Sequence, residues 1–330
     1  MDRGATPSLE LPLIREPMAR TFGTVFHATR PGQSLATLHP HAGTLRDALR
    51  DSGAVLLRGF EFGIAEFEAC CTLFSERPVV HPGTRLGGRM RISEATATVD
   101  AGTRPFPWHA ELAYAPHRPD IVAFTCERAP ARGGETLLTD GCAIADRLSS
   151  LAASIAAQRI SYESTRPRST WDVAFGGARS RAEVERVLEE HASGLGAGEA
   201  LTWSFTRRRE PVVRIRFTTP MLTPTRWSDR RAFCNHVIWQ EHRRRDRRHR
   251  PLDVMRRFLR PHSGVTLVDG SRIPAEALAE FERLADELSY RLEWRRGDVA
   301  LIDNSRIMHA REAVLDPSRR ILARMCQAAF

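Results

Sequence analysis

Two side chains that often bind metal ions stand two positions apart in the segment Pro107-Trp108-His109-Ala110-Glu111. The prolines in and before this segment favour an extended backbone over a helix. In a strand, residues i and i+2 point to the same face, so His109 and Glu111 would project together. One imidazole and one carboxylate leave a metal ion short of protein ligands. The segment therefore predicts a metal site that is completed by a third ligand from elsewhere in the chain.

The best candidate for this third ligand is His309, which follows the apolar run Val299-Ala300-Leu301-Ile302 and a short polar segment. Two histidines and one carboxylate on one face of a metal, with the other positions open, are typical of non-haem Fe(II) oxygenases. His236 is the rival histidine, but it has no carboxylate at strand spacing, and a substrate contact or packing in a sheet suits it better. A His-x-Glu pair alone is common in proteins, so the neighbouring motifs carry the prediction.

Two further motifs follow these candidate ligands along the chain. Gly133-Gly134-Glu135-Thr136 comes after the His-x-Glu pair, and Arg319-Arg320-Ile321-Leu322-Ala323-Arg324 comes after His309. If the second motif is a strand, Arg320 and Arg324 lie on one face of it. A diacid that chelates the metal with one end needs a cation for its far carboxylate, and arginine offers a permanently charged fork for that purpose. The motifs therefore indicate a co-substrate site beside the metal.

Taken together, these motifs resemble those of the taurine/2-oxoglutarate dioxygenase family, and within it the clavaminate synthase-like branch. The matching pieces are Trp108-His109-Ala110-Glu111, the Gly-Gly-Glu-Thr run that ends at Thr136, the Gly-Asp-Val-Ala-Leu-Ile-Asp-Asn run before His309, and the Arg-Arg-Ile-Leu-Ala-Arg segment. Their order and rough spacing also agree, and the similarity runs from about Gly53 to the C-terminus. Each motif alone is unspecific, whereas the set is specific.

The resemblance implies a β-rich fold with helical insertions around a double-stranded β-helix (jelly-roll) core. It also implies that Fe(II) is held by His109, Glu111 and His309. Many family members carry Asp where this chain has Glu111, but some clavaminate synthase-like members use Glu, so the ligand assignment stands. The related halogenases replace the carboxylate with a small residue to make room for halide. The presence of Glu111 therefore argues against halogenation.

The resemblance further implies that 2-oxoglutarate is the co-substrate and O2 the oxidant. Arg320 would pair with the distal carboxylate of 2-oxoglutarate, and Thr136 would add a hydroxyl group. Arg324 would lie near the inner carboxylate of 2-oxoglutarate or contact the substrate. The implied reaction is decarboxylation of the co-substrate to succinate and CO2, coupled to attack on an unactivated C–H bond. The protein would supply geometry and electrostatics, and the iron would carry the difficult chemistry.

Length and composition are those of an ordinary globular protein. At 330 residues, with 42% hydrophobic and 27% charged residues, the chain is long enough for one large domain or two small ones. It shows no internal repeat, which predicts a single dioxygenase domain over residues 1–330. Residues 1–52 contain several prolines and are predicted to be an extended lead-in segment. An insertion over about 160–202 is predicted to act as a lid over the site.

Cysteine usage and hydropathy predict the compartment. The six cysteines show no Cys-x-x-Cys spacing and lie mostly in apolar stretches, which favours reduced, buried thiols. No apolar run approaches membrane-spanning length, and the N-terminus lacks a basic region followed by an apolar one. These features predict a cytoplasmic protein with no membrane partner. They predict nothing about its oligomeric state.

The net charge of +9 raises the question of a nucleic-acid partner. All 49 basic residues are arginines, which is typical of a codon bias toward GC-rich DNA. The densest cluster lies over 243–250, where a solvated face or loop is favoured over a patch for an anionic partner. No zinc-finger, helix-turn-helix or aromatic RNA-binding motif accompanies it. Nucleic-acid binding is therefore the disfavoured alternative, as is a jelly-roll binding protein without catalysis, which would not need an intact metal triad.

The substrate is predicted only by class. Clavaminate synthase-like relatives act on amino acids, free or carrier-bound, which favours hydroxylation of such a small molecule in specialised biosynthesis, including antibiotic biosynthesis. A scavenging reaction on a taurine-like sulfonate, and desaturation or cyclisation, remain as alternatives. The segment 81–92 is rich in Gly, Pro and Arg and predicts a loop near the site entrance. The candidate substrate contacts are Arg91, Ser93, Arg104, Asn235 and His236. Further candidate cations for a substrate carboxylate are Arg118, Arg306 and Arg324.

Overall fold

The computed structural model describes residues 13–81, 84, 89–206, 210–248 and 263–330. Strands dominate it. Numbered along the chain, they are β1 (Leu13–Pro17), β2 (Thr24–Ala28), β3 (Ala54–Arg58), β4 (Arg77–Val79), β5 (Thr96–Thr98), β6 (Phe106–His109), β7 (Ile121–Arg128), β8 (Thr136–Asp140), β9 (Arg159–Pro167), β10 (Ala200–Phe205), β11 (Val212–Pro220), β12 (Thr223–Pro224), β13 (Arg231–Ala232), β14 (Ser263–Leu267), β15 (Tyr290–Leu292), β16 (Val299–Asp303), β17 (Ile307–Arg311) and β18 (Arg320–Gln327).

The helices lie between these strands and are mostly short. Two 3-10 turns, Leu35–His41 and Arg168–Thr170, accompany them. The α-helices are α1 (Ala42–Ser52), α2 (Ile64–Thr72), α3 (Gly141–Ala145), α4 (Ser150–Ala156), α5 (Trp171–Ala174), α6 (Arg181–Ser193), α7 (Val237–Arg248) and α8 (Ala275–Glu287). None of the helices in the described part of the chain has the length and apolar character that a membrane crossing requires.

The largest sheet has the strand order β1-β2-β3-β16-β7-β18-β4, with β5 paired to β18. Its central strand β16 is the predicted apolar run, and all five of its residues are buried. A strand that is covered on both faces has a continuous run of hydrophobic residues in its sequence, not an alternation of hydrophobic and polar residues. Helices α1 and α2 cover one face of this sheet through a cluster that includes Leu45, Leu49 and Phe67. The other face is turned toward the metal-ligand candidates.

A second sheet, of order β15-β8-β17-β6, lies against that inner face. Leu138 and Ile307 from the second sheet share one buried cluster with Phe124, Ile302 and Ile321 from the first. Side chains of two facing sheets thus form one core, as in a jelly roll. The predicted β-rich, double-stranded β-helix fold with helical insertions is confirmed.

The predicted insertion over about 160–202 builds structure of its own. Strands β9 and β10 join β11 and β14 in a third sheet of order β10-β11-β9-β14. Helix α6 begins with a capping box at Ser180 and Glu183 and buries Val184 and Leu188. Its fold is therefore well defined, while its role as a lid stays a prediction.

The described part of the predicted lead-in, residues 13–52, contains strands β1 and β2 and helix α1. Strand β2 pairs in parallel with β3 and so extends the largest sheet, and β1 forms its outer edge. Val25 and Phe26 are buried there, which explains why the segment joins the sheet despite its prolines. The first twelve residues of the predicted lead-in lie outside the described residues.

Candidate active site

The three predicted metal ligands come together at the junction of β6 and β17. His109 is the last residue of β6, Glu111 follows two positions later, and His309 is the middle residue of β17. His109 and His309 are register partners in the pairing of these strands. One ligand atom from each of the three side chains lies within 4.8 Å of the other two, and all three residues are buried. The geometry is that of a two-histidine, one-carboxylate facial triad.

The orientation of the His109 ring is fixed by its own strand. Its Nδ1 atom lies 2.9 Å from the carbonyl oxygen of Pro107. A carbonyl oxygen only accepts hydrogen bonds, so Nδ1 carries the proton and donates it there. The Nε2 atom keeps its lone pair for a metal ion, which is the usual arrangement of a metal-binding histidine.

His309 is a buried histidine whose ring is incompletely hydrogen-bonded. Its Nδ1 atom has no hydrogen-bond partner among the described residues. Its Nε2 atom lies 3.9 Å from Oε2 of Glu111. Burial, and the nearby His109, lower the pKa of His309 well below its usual range, so the ring is neutral and can donate a lone pair to a metal. Because Nε2 lies beside Glu111 and Nδ1 makes no hydrogen bond with the described residues, the ring is free to serve as a metal ligand through Nε2.

Glu111 is held as an anion although it is only 4% exposed. Burial alone would raise its pKa, but Arg89 and His81 outweigh burial and hold the pKa well below its usual range. Nη2 of Arg89 donates to Oε2 over 3.2 Å, and Nε2 of His81 lies 3.2 Å from Oε1. Sequence reasoning placed the 81–92 loop near the entrance but did not identify these two side chains as partners of the carboxylate. No local pattern marks them, because they contact Glu111 only through the fold.

The backbone around Glu111 is strained and tightly held. Leu112 has φ of 55°, the only positive φ of a non-glycine residue among those described. Such a conformation costs about 1–3 kcal/mol and persists only where the surroundings impose it. The buried side chain of Asn304 supplies that constraint, since its Oδ1 accepts from the Glu111 N–H at 2.7 Å and its Nδ2 donates to the Glu111 carbonyl at 2.9 Å.

We expect Asn304→Ala to weaken metal binding about 10–100-fold, the usual range for residues that orient a metal ligand. The substitution leaves the buried N–H of Glu111 without its acceptor and frees the carboxylate to turn. Calorimetric titration with Mn(II) measures the effect. The matched control is Asn235→Ala, because that buried amide contacts Met221 and Val237 and not Glu111. Equal affinities in the Asn304→Ala variant and in the unsubstituted protein would contradict this positioning role.

A small cavity of about 50 Å³ opens beside the triad. Its walls are apolar at Phe106, Phe124 and Ile321 and polar at Thr136. The Thr136 hydroxyl accepts a hydrogen bond from Nε1 of Trp294 at 2.9 Å, so its own proton is free for a ligand. Thr136 therefore lies where the sequence predicted it, within reach of a molecule that is bound next to the metal.

Three arginines line this cavity: Arg89, which is paired with Glu111, and also Arg311 and Arg319. The Arg311 guanidinium is already hydrogen-bonded within the protein, because it donates to the carbonyl oxygens of Asp100, Gly102 and Arg104. Arg319 donates from Nε to the carbonyl of Gly134 at 2.7 Å and has no ion pair among the described residues. Burial, and then the neighbouring Arg311, lower the pKa of Arg319 to about 10. It stays charged at neutral pH, and a half-buried cation without a counter-ion among the described residues is prepared for an anionic ligand.

Gly134 explains how Arg319 reaches this position. The glycine has φ of 73°, and a Cβ atom there would lie 2.7 Å from Cδ of Arg319. The Gly133-Gly134 turn thus lets the arginine side chain cross directly over the backbone before Thr136.

The predicted roles of Arg320 and Arg324 are not supported by their positions. Neither side chain lines the cavity. Arg320 is 41% exposed and lies 2.5 Å from Glu127, and Arg324 lies 3.4 Å from Glu68. Both belong to the face of β18 opposite to Ile321, which contacts the inner core. The structure brings Arg319, one residue earlier, to the place that the sequence assigned to Arg320.

Of the five candidate substrate contacts, the structure brings one to the triad. The His236 ring lies 5.3 Å from that of His109, measured between centroids, and burial lowers its pKa to about 3. Its Nδ1 atom contacts the carbonyl of Ala110 at 3.2 Å, so the ring packs against the site without joining it. The other four lie elsewhere.

Three of these four lie in exposed loops or at their bases. Arg91 is exposed and donates to the carbonyl of Ser93, while the Ser93 hydroxyl contacts Glu68. Arg104 is exposed, and its carbonyl accepts from Arg311. The fourth, Asn235, is buried and caps α7 through Val237. Their predicted contacts with substrate therefore gain no support from the geometry.

Comparison with known proteins agrees with this site. Residues 15–326 match the model of the family described as Taurine catabolism dioxygenase TauD, TfdA family. A clavaminate synthase-like protein of Arabidopsis thaliana is 27% identical over 307 residues, which cover 86% of this chain and 84% of that protein. The match to the family model spans nearly the whole chain.

Solved structures show the same fold. PvcB from Pseudomonas aeruginosa superposes with a TM-score of 0.57 at 19% identity, over 100% of this chain and 95% of that one. A taurine dioxygenase from Burkholderia xenovorans gives 0.55 at 16% identity, over 96% of this chain and 90% of that one. With the triad and its cavity in place, the match to the family model leads to one conclusion: the chain belongs to the TauD/TfdA family and is a non-haem Fe(II)/2-oxoglutarate-dependent dioxygenase.

Proposed function

We propose that the protein hydroxylates an unactivated C–H bond of an amino acid or an amino-acid-derived small molecule, with Fe(II) on His109, Glu111 and His309 and 2-oxoglutarate on Arg319 and Thr136. One observation carries the proposal. A half-buried arginine without a counter-ion among the described residues and a hydroxyl with a free proton share a single cavity with an intact facial triad.

The residues of the site fit the proposed metal and co-substrate. The Nε2 atoms of the two histidines and one Glu111 oxygen provide three ligands, which leaves positions open for other molecules. Iron with 2-oxoglutarate and O2 supplies the oxidising power that the side chains lack. Arg319 would pair with the distal carboxylate, and its charge-assisted bonds would orient the co-substrate toward the triad. The apolar walls at Phe106, Phe124 and Ile321 would exclude water and strengthen those bonds.

The substrate class rests on resemblance and on charge. The amino-acid-type substrate follows from the resemblance to the clavaminate synthase-like branch, and a relative with that description matches this chain. PvcB is described as an Fe, α-ketoglutarate dependent oxygenase from an isonitrile synthetic pathway, which supports a biosynthetic role. A sulfonate, as in taurine catabolism, is the second candidate, and one observation favours it. Three arginines, Arg89, Arg311 and Arg319, line the cavity beside the triad, against two carboxylates, Asp100 and Glu111.

We expect Arg319→Gln to weaken 2-oxoglutarate binding by about 2–5 kcal/mol, the usual cost of truncating one partner of a buried charge pair. This corresponds to roughly a 30-fold or larger rise in the dissociation constant. Anaerobic titration with Fe(II) and then 2-oxoglutarate measures it through the weak visible charge-transfer band of the chelate. The matched control is Arg320→Gln, which removes a partly exposed pair with Glu127 and is expected to leave the affinity unchanged.

Each outcome of this titration decides between two assignments. A weak chelate in Arg320→Gln with a normal one in Arg319→Gln would restore the assignment made from the sequence. Absence of the band in the reduced, unsubstituted protein would refute the proposed cofactors. Coupled succinate release with individual amino acids and with taurine then distinguishes the two substrate classes, because only the true substrate class accelerates turnover of 2-oxoglutarate.

A further inference from the structure

A second cavity of about 320 Å³ lies apart from the metal site. It is enclosed by the segment 113–120, the connection Gly194–Glu199 that follows α6, and the residues around Thr223 after β11. No described residue lines both this cavity and the one beside the triad. Its volume is at the lower end of the range for pockets that hold small molecules.

Arg118 contributes a cation to this second cavity. Its half-buried guanidinium makes no hydrogen bond and no ion pair with any residue that the structure describes, although its carbonyl accepts from Gln327. The buried Asp303 carboxylate is close enough to be influenced by the charge of Arg118, but it accepts its hydrogen bonds from Ser305 and not from Arg118. Five N–H donors in a fixed fork are therefore available to a carboxylate.

A second polar group in the wall of this cavity also lacks a partner. Thr223 is only 3% exposed, and its Oγ1 atom forms no hydrogen bond with the described residues. Buried hydroxyls are nearly always hydrogen-bonded, and each exception calls for an explanation. A polar ligand in the cavity would supply the missing partner.

Two carboxylates face the same space. Asp120 is already committed, since it accepts from Nη1 of Arg226 at 3.0 Å and from the Ala328 N–H at 2.8 Å. Among the described residues, Glu199 accepts only from neutral donors, the Gly196 N–H at 3.0 Å and the Thr219 hydroxyl at 3.3 Å. A carboxylate has about four acceptor positions, so Glu199 can still take the N–H donors of a cation. Multiply charged anions are disfavoured by these two acidic groups.

We propose that this second cavity binds a small zwitterion of the α-amino-acid type, with its carboxylate on Arg118 and its ammonium group on Glu199. One unpaired cation and one carboxylate without a counter-ion then both gain a partner. The walls at Pro116, Phe217 and Pro220 offer apolar contact to a side chain. The site would be separate from the metal centre, and its occupancy does not depend on iron or 2-oxoglutarate.

The test is ligand-observed NMR on the metal-free full-length protein with each proteinogenic amino acid in turn at millimolar concentration. We expect at least one of them to bind saturably. Its deaminated acid and its decarboxylated amine, which each keep a single charge, are expected to bind at least tenfold more weakly. This comparison needs no substitution, so it holds even if a variant fails to fold.

Two variants locate the site. Arg118→Gln and Glu199→Gln are each expected to raise the dissociation constant of the best amino acid at least tenfold. The controls are Arg319→Gln, in the metal cavity, and Glu163→Gln, in an exposed pair with Arg216, and both are expected to bind as the unsubstituted protein does. Failure of every amino acid to bind, equal binding of the singly charged analogues, or loss of binding in Arg319→Gln but not in Arg118→Gln would overturn the proposal.

Discussion

Replacement of His309 by alanine is expected to abolish the Fe(II) chelate while leaving the protein folded. Two ligands cannot hold the ion as three do, so the charge-transfer band with 2-oxoglutarate should disappear. The metal-free protein should lose little stability, because the substitution also removes a buried Nδ1 atom that has no hydrogen-bond partner among the described residues. Thermal unfolding with and without Mn(II) checks both points, since a ligand that binds only the native state raises the unfolding temperature.

The matched control for this experiment is His236→Asn. This histidine is also buried and lies beside His109, but its Nδ1 atom faces the Ala110 carbonyl. We expect the chelate band to form and Mn(II) to stabilise this variant. A band that survives in His309→Ala and vanishes in His236→Asn would make His236 the third ligand and contradict the triad described above.

Replacement of Arg306 by alanine is expected to have the largest effect on stability, a loss of about 3–5 kcal/mol in the free energy of unfolding. Nη2 of Arg306 donates to Oδ2 of Asp140 at 2.8 Å and Nε donates to Oδ1 at 3.2 Å, and Asp140 is only 1% exposed. Without Arg306, the buried Asp140 carboxylate loses the cation that pairs with it. The carbonyl of Asp51 loses a donor as well.

Urea unfolding of the metal-free protein measures this loss. The control is Arg216→Ala, which breaks an exposed pair with Glu163 and should change stability by about 1 kcal/mol or less. Equal effects of the two substitutions would show that the Asp140 pair contributes no more than a surface contact. The sequence offered Arg306 as a cation for a substrate carboxylate, and this was wrong, because its guanidinium is fully engaged inside the protein.

The metal ligands were predictable because their chemistry and their spacing are both local. His109 and Glu111 are only two positions apart, although β6 ends at His109 and Glu111 lies in the turn that follows. The third histidine follows a run of apolar residues that is recognisable as a buried strand. The arginine for 2-oxoglutarate was not predictable to the residue. Strand β18 is buried on both faces, so hydrophobicity does not tell which face is inside. A register shift between Arg320 and Ile321 further disturbs the alternation of side chains between the two faces at the start of this strand.

Contacts between distant segments were beyond sequence reasoning for a different reason. His81 and Arg89 stand in a segment without periodicity, of which residues 82–83 and 85–88 lie outside the described residues, and their contacts with Glu111 are made between parts of the chain that are distant in sequence. The same holds for the second cavity, where Arg118 and Glu199 lie far apart in the chain. The sequence named Arg118 only as one of several arginines, since charge alone carries no information about burial.

The left-handed backbone at Leu112 sets thermal stability against iron binding. Relief of the strain at this residue would stabilise the fold but would also move the neighbouring ligand Glu111. Glycine would adopt this φ without the steric cost that leucine bears, so the native fold carries a conformational penalty at the residue directly after the metal ligand Glu111. Directed evolution for thermostability would favour substitutions that relieve this backbone strain. Stabilised proteins of this kind would have to be sorted by their iron content as well as by their melting temperature.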